Sequence, residues 1–251
     1  MIWLRSLLFN LAFFSATATI ALLLLPLALG PRRWLTLPVR GWAAVVIWLL
    51  RVICGIRLRV TGAEHLPHGA GLIAAKHQSA FDTVVWLRLL PDAVYVLKRE
   101  LLHIPLYGWL ARKAGMIAVD RAGGASAMRH LLKAGKAAAE AGRQIVIFPE
   151  GTRVAPGVRV PYQPGVLALA AATGLPVVPV ATDSGRYWGR RSFRKCPGTI
   201  TVAVLPPVPA DLRRDALMER LEAEIETETA RLLDDEAVDK PVDELGTGVR
   251  S

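Results

Sequence analysis

Apolar and polar positions fall into three regimes along the chain. Residues 6–31 carry no charge and are bounded by Arg5 and the pair Arg32-Arg33. About 20 apolar residues suffice to cross a bilayer, so this stretch predicts a membrane-associated helix. It is far longer than the about 7–15-residue apolar core of a cleaved signal peptide. Its one small-residue sequence, Ala28-Leu29-Gly30, also runs straight into Pro31. Residues 41–56 form a second apolar stretch, interrupted by Arg51, which predicts a re-entrant or interfacial helix. From residue 58 short β-rich runs alternate with helical ones. Strands are predicted at 58–61, 72–75, 94–97, 116–119, 144–148, 177–181 and 199–205. Helices are predicted at 81–90, 105–114, 126–141, 166–173 and 212–233. Ser126 caps the third of these, while Gly142 and Gly174 stop the third and fourth. The last helix repeats Leu217, Leu221 and Ile225 between acids, an amphipathic pattern that packs on a sheet. The chain from Asp234 onward is expected to fray.

Strand–helix alternation predicts an α/β fold with a central, mostly parallel sheet flanked by helices. Wholly apolar runs such as 145–148 require cover on both faces. The domain reading is a two-helix membrane-anchoring segment at 1–57, an α/β domain at 58–210, and a C-terminal amphipathic helix with an acidic tail at 211–251.

Composition sharpens this. Of 251 residues, 53% are hydrophobic, too many for a disordered chain. Two cysteines, Cys54 in the head and Cys196 far from it, cannot make a disulfide scaffold, and both are read as reduced, with the 58–210 domain in the cytoplasm. The formal net charge of +10 is uneven: +7 over residues 1–63, which hold no acid, +10 over 64–210, and −7 over 211–251. The central bases are scattered and match no nucleic-acid motif, so nucleic acid is not an expected partner. Basic patches also hold phosphorylated small molecules and anionic lipid. Trp3, Trp34, Trp42 and Trp48 lie in the head, where indoles favour the headgroup level.

In parallel sheets the ligand site lies beyond the carboxyl ends of the strands, so those positions bear the candidate chemistry. After 72–75 comes Lys76-His77-Gln78-Ser79-Ala80-Phe81-Asp82. Five residues on a continuous helix are about 500° apart, but a turn before the helix can join His77 to Asp82. The carboxylate then fixes the imidazole tautomer and frees the other nitrogen to act as a general base. After 144–148 comes Pro149-Glu150-Gly151-Thr152-Arg153, with a glycine for close backbone approach and an arginine suited to phosphate. After 116–119 comes Asp120-Arg121, and after 177–181 come Thr182, Asp183, Ser184 and Gly185. No nucleophile elbow, P-loop or dinucleotide fingerprint is present. His65 and His68 lack company at metal-ligand spacing, so no metal is expected.

These pieces form a known set. The chain resembles the 1-acyl-glycerol-3-phosphate acyltransferase family of bacterial type, the lysophosphatidic acid acyltransferases. It carries H-x-x-x-x-D at His77–Asp82, a second block ending in Arg121, the complete F-P-E-G-T-R from Phe148 to Arg153, and a V-P-V strand around Pro179. A linking K-x-E-L-x-x-I-P-x-x-G stretch runs from Lys98 through Glu100, Leu101, Ile104 and Pro105 to Gly108. The resemblance implies the glycerolipid acyltransferase fold and acyl transfer from acyl-CoA or acyl-carrier protein to a lysophospholipid hydroxyl, with no cofactor and no metal. It implies His77 as base and Asp82 as its orienter. Arg121, Glu150, Gly151, Thr152 and Arg153 would bind the acceptor phosphate, with Lys98, Gly108 and Pro179 near the donor or acyl tunnel. Membrane lipid is the implied partner, at the inner membrane with the catalytic domain facing the cytoplasm. A lyso-ornithine lipid or another lysophospholipid is an alternative acceptor, and a non-catalytic lipid-binding module is an alternative of another class. Three positions depart from the family pattern: Val154 where serine is frequent, no base near Gln163, and Asp183 where asparagine is usual.

Overall fold

The computed structural model describes residues 1–238. Seven strands form one sheet: β1 (Ile56–Thr61), β2 (Gly71–Ala75), β3 (Ala93–Lys98), β4 (Ile117–Val119), β5 (Gln144–Ile147), β6 (Val177–Thr182) and β7 (Gly198–Val204). Their order is β1-β7-β6-β2-β5-β3-β4. The five strands from β6 to β4 run parallel, so their carboxyl ends open on one edge. β7 turns antiparallel to β6, and β1 joins parallel to β7.

β2, β5 and β6 are buried along their whole length, because both faces are covered. Side chains alternate between faces along a strand. Ile73, Ala75, Val146, Val178 and Val180 meet one cluster with Trp86 of α3 (Phe81–Leu89), Val46 of α2 (Arg33–Leu49) and Phe9 of α1 (Ile2–Leu27). Leu72, Ala74, Ile145, Ile147 and Val177 meet the other, with Leu131 of α5 (Gly124–Glu140), Leu169 of α6 (Gly165–Thr173), and Leu217, Leu221 and Ile225 of α8 (Arg214–Val238). Two short helices complete the set, α4 (Tyr107–Lys113) and α7 (Ser184–Tyr187).

Several boundaries differ from the sequence reading. The second apolar helix begins at Arg33, not near 41, and continues through a π-helical turn at Leu50–Cys54, giving 22 residues long and apolar enough to cross a membrane. Ser126 does not cap α5: the cap position is Gly123, and the Ser126 hydroxyl donates back to the Gly123 carbonyl at 2.7 Å. Gly142 does stop α5. At φ +71° it lets its own amide and that of Arg143 close on Ala139 and Ala138, the Schellman arrangement. The expected helix from 105 starts only at Tyr107, because Leu106 sits at φ 66°, ψ −54° and Tyr107 N–H bonds the Pro105 carbonyl at 2.7 Å. The C-terminal helix continues to Val238 rather than fraying at 234; the rest of the acidic tail lies outside the described residues.

α1 and α2 make an antiparallel hairpin that lies along the sheet layer. Near its open end, Ser6 Oγ accepts the Lys195 N–H at 2.9 Å and Asn10 Oδ1 accepts Lys195 Nζ at 2.7 Å. At its turn, Arg32 pairs with Asp92 at 2.8 Å, and Asp92 also takes Arg143 at 3.1 Å. α2 packs directly on α3. The outward face is apolar and exposed, including Leu4, Leu8, Phe14, Leu23 and Trp34.

Trp86 is the largest fully buried side chain, and its helix carries Asp82. Trp86→Ala is expected to lower unfolding stability by about 3–5 kcal/mol, measured by denaturant unfolding in detergent. A loss below 1 kcal/mol, on the order of a surface substitution, would show that the α2–α3 layer does not depend on it.

Candidate active site

β2 ends between β5 and β6, and the chain leaving it builds the site. The turn Lys76–Ala80 is compact because its own helix collects it. Asp82 lies in the first turn of α3 and its Oδ2 accepts the amides of Gln78 and Ser79, both at 2.7 Å. That is the favoured position for a carboxylate at a helix N-terminus. The same oxygen lies 3.0 Å from His77 Nδ1, so the five-residue spacing closes through the turn. Asp82 Oδ1 accepts the Ser184 hydroxyl at 2.6 Å, reached from the end of β6. Asp82 is thereby almost fully buried yet satisfied at both oxygens. An ionised carboxylate only accepts, so Nδ1 carries the proton and Nε2 has the free lone pair.

The His77 ring stacks on Phe148 with centroids 3.9 Å apart and planes at 18°, and Tyr95 stacks beyond Phe148 at 6.2 Å. The His77 backbone is held on both sides. Its N–H donates to Glu150 Oε2 at 2.7 Å, and its carbonyl accepts the Val154 amide at 2.8 Å. The block 148–153 is thus tied to His77 through its main chain.

Glu150 is not turned toward an open phosphate site. Its side chain is fully buried, one oxygen on the His77 amide and the other 2.9 Å from Lys76 Nζ. A carboxylate there would in any case repel phosphate. Burial pushes its pKa up to about 7, against the opposing pull of Lys76. Lys76 is also paired with Glu226 of α8 at 2.6 Å, and Tyr162 donates to the same Glu226 oxygen at 2.9 Å.

Gly151 sits at φ +68°, which suits glycine, and its amide donates to the Phe148 carbonyl at 2.9 Å. That amide is therefore already committed, whereas those of Thr152 and Arg153 donate to no backbone carbonyl among the described residues. Arg121 reaches across from the end of β4 to hydrogen-bond the Gly151 carbonyl. Arg153 is half-buried and forms no salt bridge among the described residues. The edge of the site thus holds two arginines with donors to spare.

Lys98, Gly108 and Pro179 do not join this group. Lys98 is exposed and pairs with Glu100 at 3.3 Å. Gly108 is a packing residue: a Cβ there would lie 2.0 Å from the Leu102 carbonyl oxygen. Pro179 lies inside β6 opposite Ala74, its carbonyl taking the Leu205 amide. Asp183, one of the departures from the family pattern, is buried with Oδ1 on the Thr201 amide at 2.8 Å, so it serves β7. Val154, another departure, is buried beside His77.

Sequence reading placed Lys76 and Ser184 at strand ends without giving them a role, and it missed Tyr162 and Glu226. Ser184 had a signal in its place just after a strand end. Glu226 had a fainter one, an acid next to the apolar row Leu217, Leu221 and Ile225. Lys76 showed only its adjacency to His77, and Tyr162 showed nothing.

Comparison with known proteins agrees with this architecture. A family model described as Acyltransferase matches residues 57–183. The 1-acyl-sn-glycerol-3-phosphate acyltransferase of Pseudomonas aeruginosa is 39% identical over 173 residues, covering 69% of this chain and 67% of that protein. The enzyme of the same name from Limnanthes alba is 35% identical over 170 residues, covering 66% of this chain and 58% of its own. The human alpha enzyme is 31% identical over 165 residues, covering 64% and 58%. Among solved structures, the 1-acyl-sn-glycerophosphate acyltransferase PlsC of Thermotoga maritima shares the fold, with a TM-score of 0.77 over 92% of this chain and 98% of its own, at 22% identity. The chain belongs to the acyltransferase family, among the 1-acyl-sn-glycerol-3-phosphate acyltransferases.

Proposed function

We propose that this enzyme moves a fatty acyl group from acyl-CoA or acyl-carrier protein to the free sn-2 hydroxyl of lysophosphatidic acid, giving phosphatidic acid. The observation that carries the reading is the His77–Asp82–Ser184 line of hydrogen bonds beside two arginines with donors to spare. His77 Nε2 takes the hydroxyl proton as the oxygen attacks the thioester carbonyl. The negative charge moves to the carbonyl oxygen, where the Thr152 and Arg153 amides are the available donors. Collapse breaks the carbon–sulfur bond, and the imidazolium returns its proton to the leaving thiolate. Asp82 supports the imidazolium during this cycle. No acyl-enzyme and no metal or cofactor enter the scheme. Arg121 and Arg153 hold the acceptor phosphate.

The hairpin supports action at a membrane surface, which this reading takes to be the cytoplasmic face of the inner membrane. It is fixed to the catalytic domain both near its open end and at its turn, so it lies along the domain rather than standing away from it. Its exposed apolar face then enters one leaflet, with the basic residues of the head toward anionic lipid.

His77→Ala is expected to lower kcat at least about a hundredfold in purified, folded, membrane-bound protein. Retention of most of the activity would overturn the general-base assignment. Arg153→Ala is expected to raise the lysophosphatidic acid KM about tenfold or more, leaving the donor KM in place. The assay should span lysophosphatidic acid, lyso-ornithine lipid and other lysophospholipids with both donor types. Equal KM values for wild type and Arg153→Ala would place the phosphate elsewhere.

Glu150 generates a pH prediction. Its folded-state pKa of about 7 lies above the ordinary 4.5, so the folded state holds this proton more tightly than the unfolded chain. The associated stability is fully present below about pH 4.5 and is lost as pH rises through about 7. Glu150→Gln mimics the protonated carboxyl. Its Tm relative to wild type should therefore rise across that window, and a flat difference would show that Glu150 stays ionised.

A further inference from the structure

The charged groups under His77 reach a helix that lies outside the family-matched region, residues 57–183. Lys76 is 1% exposed, with its ammonium 2.6 Å from Glu226 Oε1 and 2.9 Å from Glu150 Oε1. Glu226 Oε1 also accepts the Tyr162 hydroxyl at 2.9 Å, and its Oε2 lies 3.9 Å from the exposed Arg159. The second oxygen of Glu150 holds the His77 amide. One unbroken line of contacts therefore runs from α8 to the residue that bears the imidazole.

We propose that Glu226 is a positioning residue of the acyl-transfer site: from α8 it fixes Lys76 and, through Glu150, the backbone of His77. This rests on the reading of His77 as the general base.

Two arguments support it. First, α8 does not need an acid in order to dock. Leu217, Leu221, Ile225 and Leu232 are all buried and supply its apolar contact. Exchanging a buried ion pair for apolar side chains of similar volume is often neutral or stabilising. Packing alone gives no reason to place a carboxylate 5% exposed beside Ile225. Second, Lys76 is bonded directly to His77 in sequence, so the position of one sets that of the other. With Glu150 as its only partner, a lysine on a flexible four-carbon stem could swing. The second carboxylate, itself held by Tyr162, narrows that freedom. A misplacement of about 1 Å at a reacting group can lower a rate about a hundredfold, which gives such a brace something to protect.

The test uses the full-length enzyme in detergent, with kcat and both KM values measured on Glu226→Gln, Lys76→Met and the double variant, and with His77→Ala alongside. Glu226→Gln keeps shape and a hydrogen-bond acceptor and removes the charge. It should lower kcat about tenfold with both KM values within about twofold of wild type, at an unchanged near-ultraviolet circular dichroism spectrum. The double variant should be no slower than Lys76→Met, because coupled partners are not additive. Wild-type kcat in folded Glu226→Gln, or losses that multiply in the double variant, would overturn the proposal. Should Glu226→Gln fail to fold, Tyr162→Phe decides. It removes one bond to the same oxygen and should lower kcat about threefold, roughly the effect of one modest hydrogen bond, and an unchanged kcat would overturn the proposal. His77→Ala separates the two readings: an active His77→Ala sinks the general base itself, whereas an inactive His77→Ala beside a fully active Glu226→Gln sinks only the brace.

Discussion

On the proposed reading the His77 imidazole takes a proton at the rim of the sheet, and it is best placed to do so with its other nitrogen on a carboxylate whose remaining lone pairs are satisfied away from bulk water. The surroundings of Asp82 answer to this requirement. Asp82 meets it with three donors besides the imidazole: two amides of its own turn and the Ser184 hydroxyl. The donors come from two strand ends, so β2 and β6 must be neighbours for Asp82 to be satisfied. Glu150 comes from the third, β5, on the other side of β2. The order β6-β2-β5 at the centre of the sheet is thus the geometric condition for the site.

Close approach follows from that order. Gly185 lies where a Cβ would come 2.8 Å from the Gln78 Cβ, and its amide donates to Gln78 Oε1 at 3.0 Å. A larger residue would push the end of β6 away from the turn and take Ser184 off Asp82. Leu106, farther out, holds a backbone conformation that few non-glycine residues adopt. It ends the segment Arg99–His103 sharply and lets Gly108 seat against Leu102. The residues conspicuous in the linking motif between Lys98 and Gly108 therefore shape a turn, and among the described residues the imidazole bonds to Asp82 and stacks on Phe148 instead.

The parts of this arrangement that were legible in the sequence are those encoded locally. Strand–helix alternation marked the sheet, and the residues just past each strand end included His77, Asp82, Arg121 and Arg153. The sense of the outer strands was not legible, since β7 turns antiparallel to β6 without any local pattern that requires it. The start of α2 was hidden because Arg32, Arg33, Pro38 and Arg40 break the apolar run that the helix continues through. Glu150 looked like a ligand residue because it stands in a glycine-containing turn beside an arginine, yet burial of its side chain depends on Lys76 and on a helix some 75 positions later in the chain. Lys76 and Glu226 are 150 residues apart. No spacing rule relates them, and only the packing of α8 across β6 brings them together.

The distribution of charge gains a physical meaning from the same contacts. The acidic C-terminal region is not only a solvated counterweight to a basic chain, because Glu226 is drawn beneath the turn that carries His77 while Asp211, Asp215, Glu219, Asp234 and Asp235 are exposed. The basic head is likewise not a separate appendage in structural terms: Arg32 is anchored on Asp92, and Lys195 of the catalytic part reaches Asn10. On the reading proposed above, this fixes the height of His77 relative to the apolar face of the hairpin. An acceptor with one acyl chain in the leaflet and a free hydroxyl near its headgroup then meets the base without leaving the interface. On that reading the two arginines at the strand ends hold the phosphate on the watery side. A hairpin attached at one end only would leave that height undefined, and the second attachment at the Arg32–Asp92–Arg143 cluster is what makes the anchor part of the site's geometry.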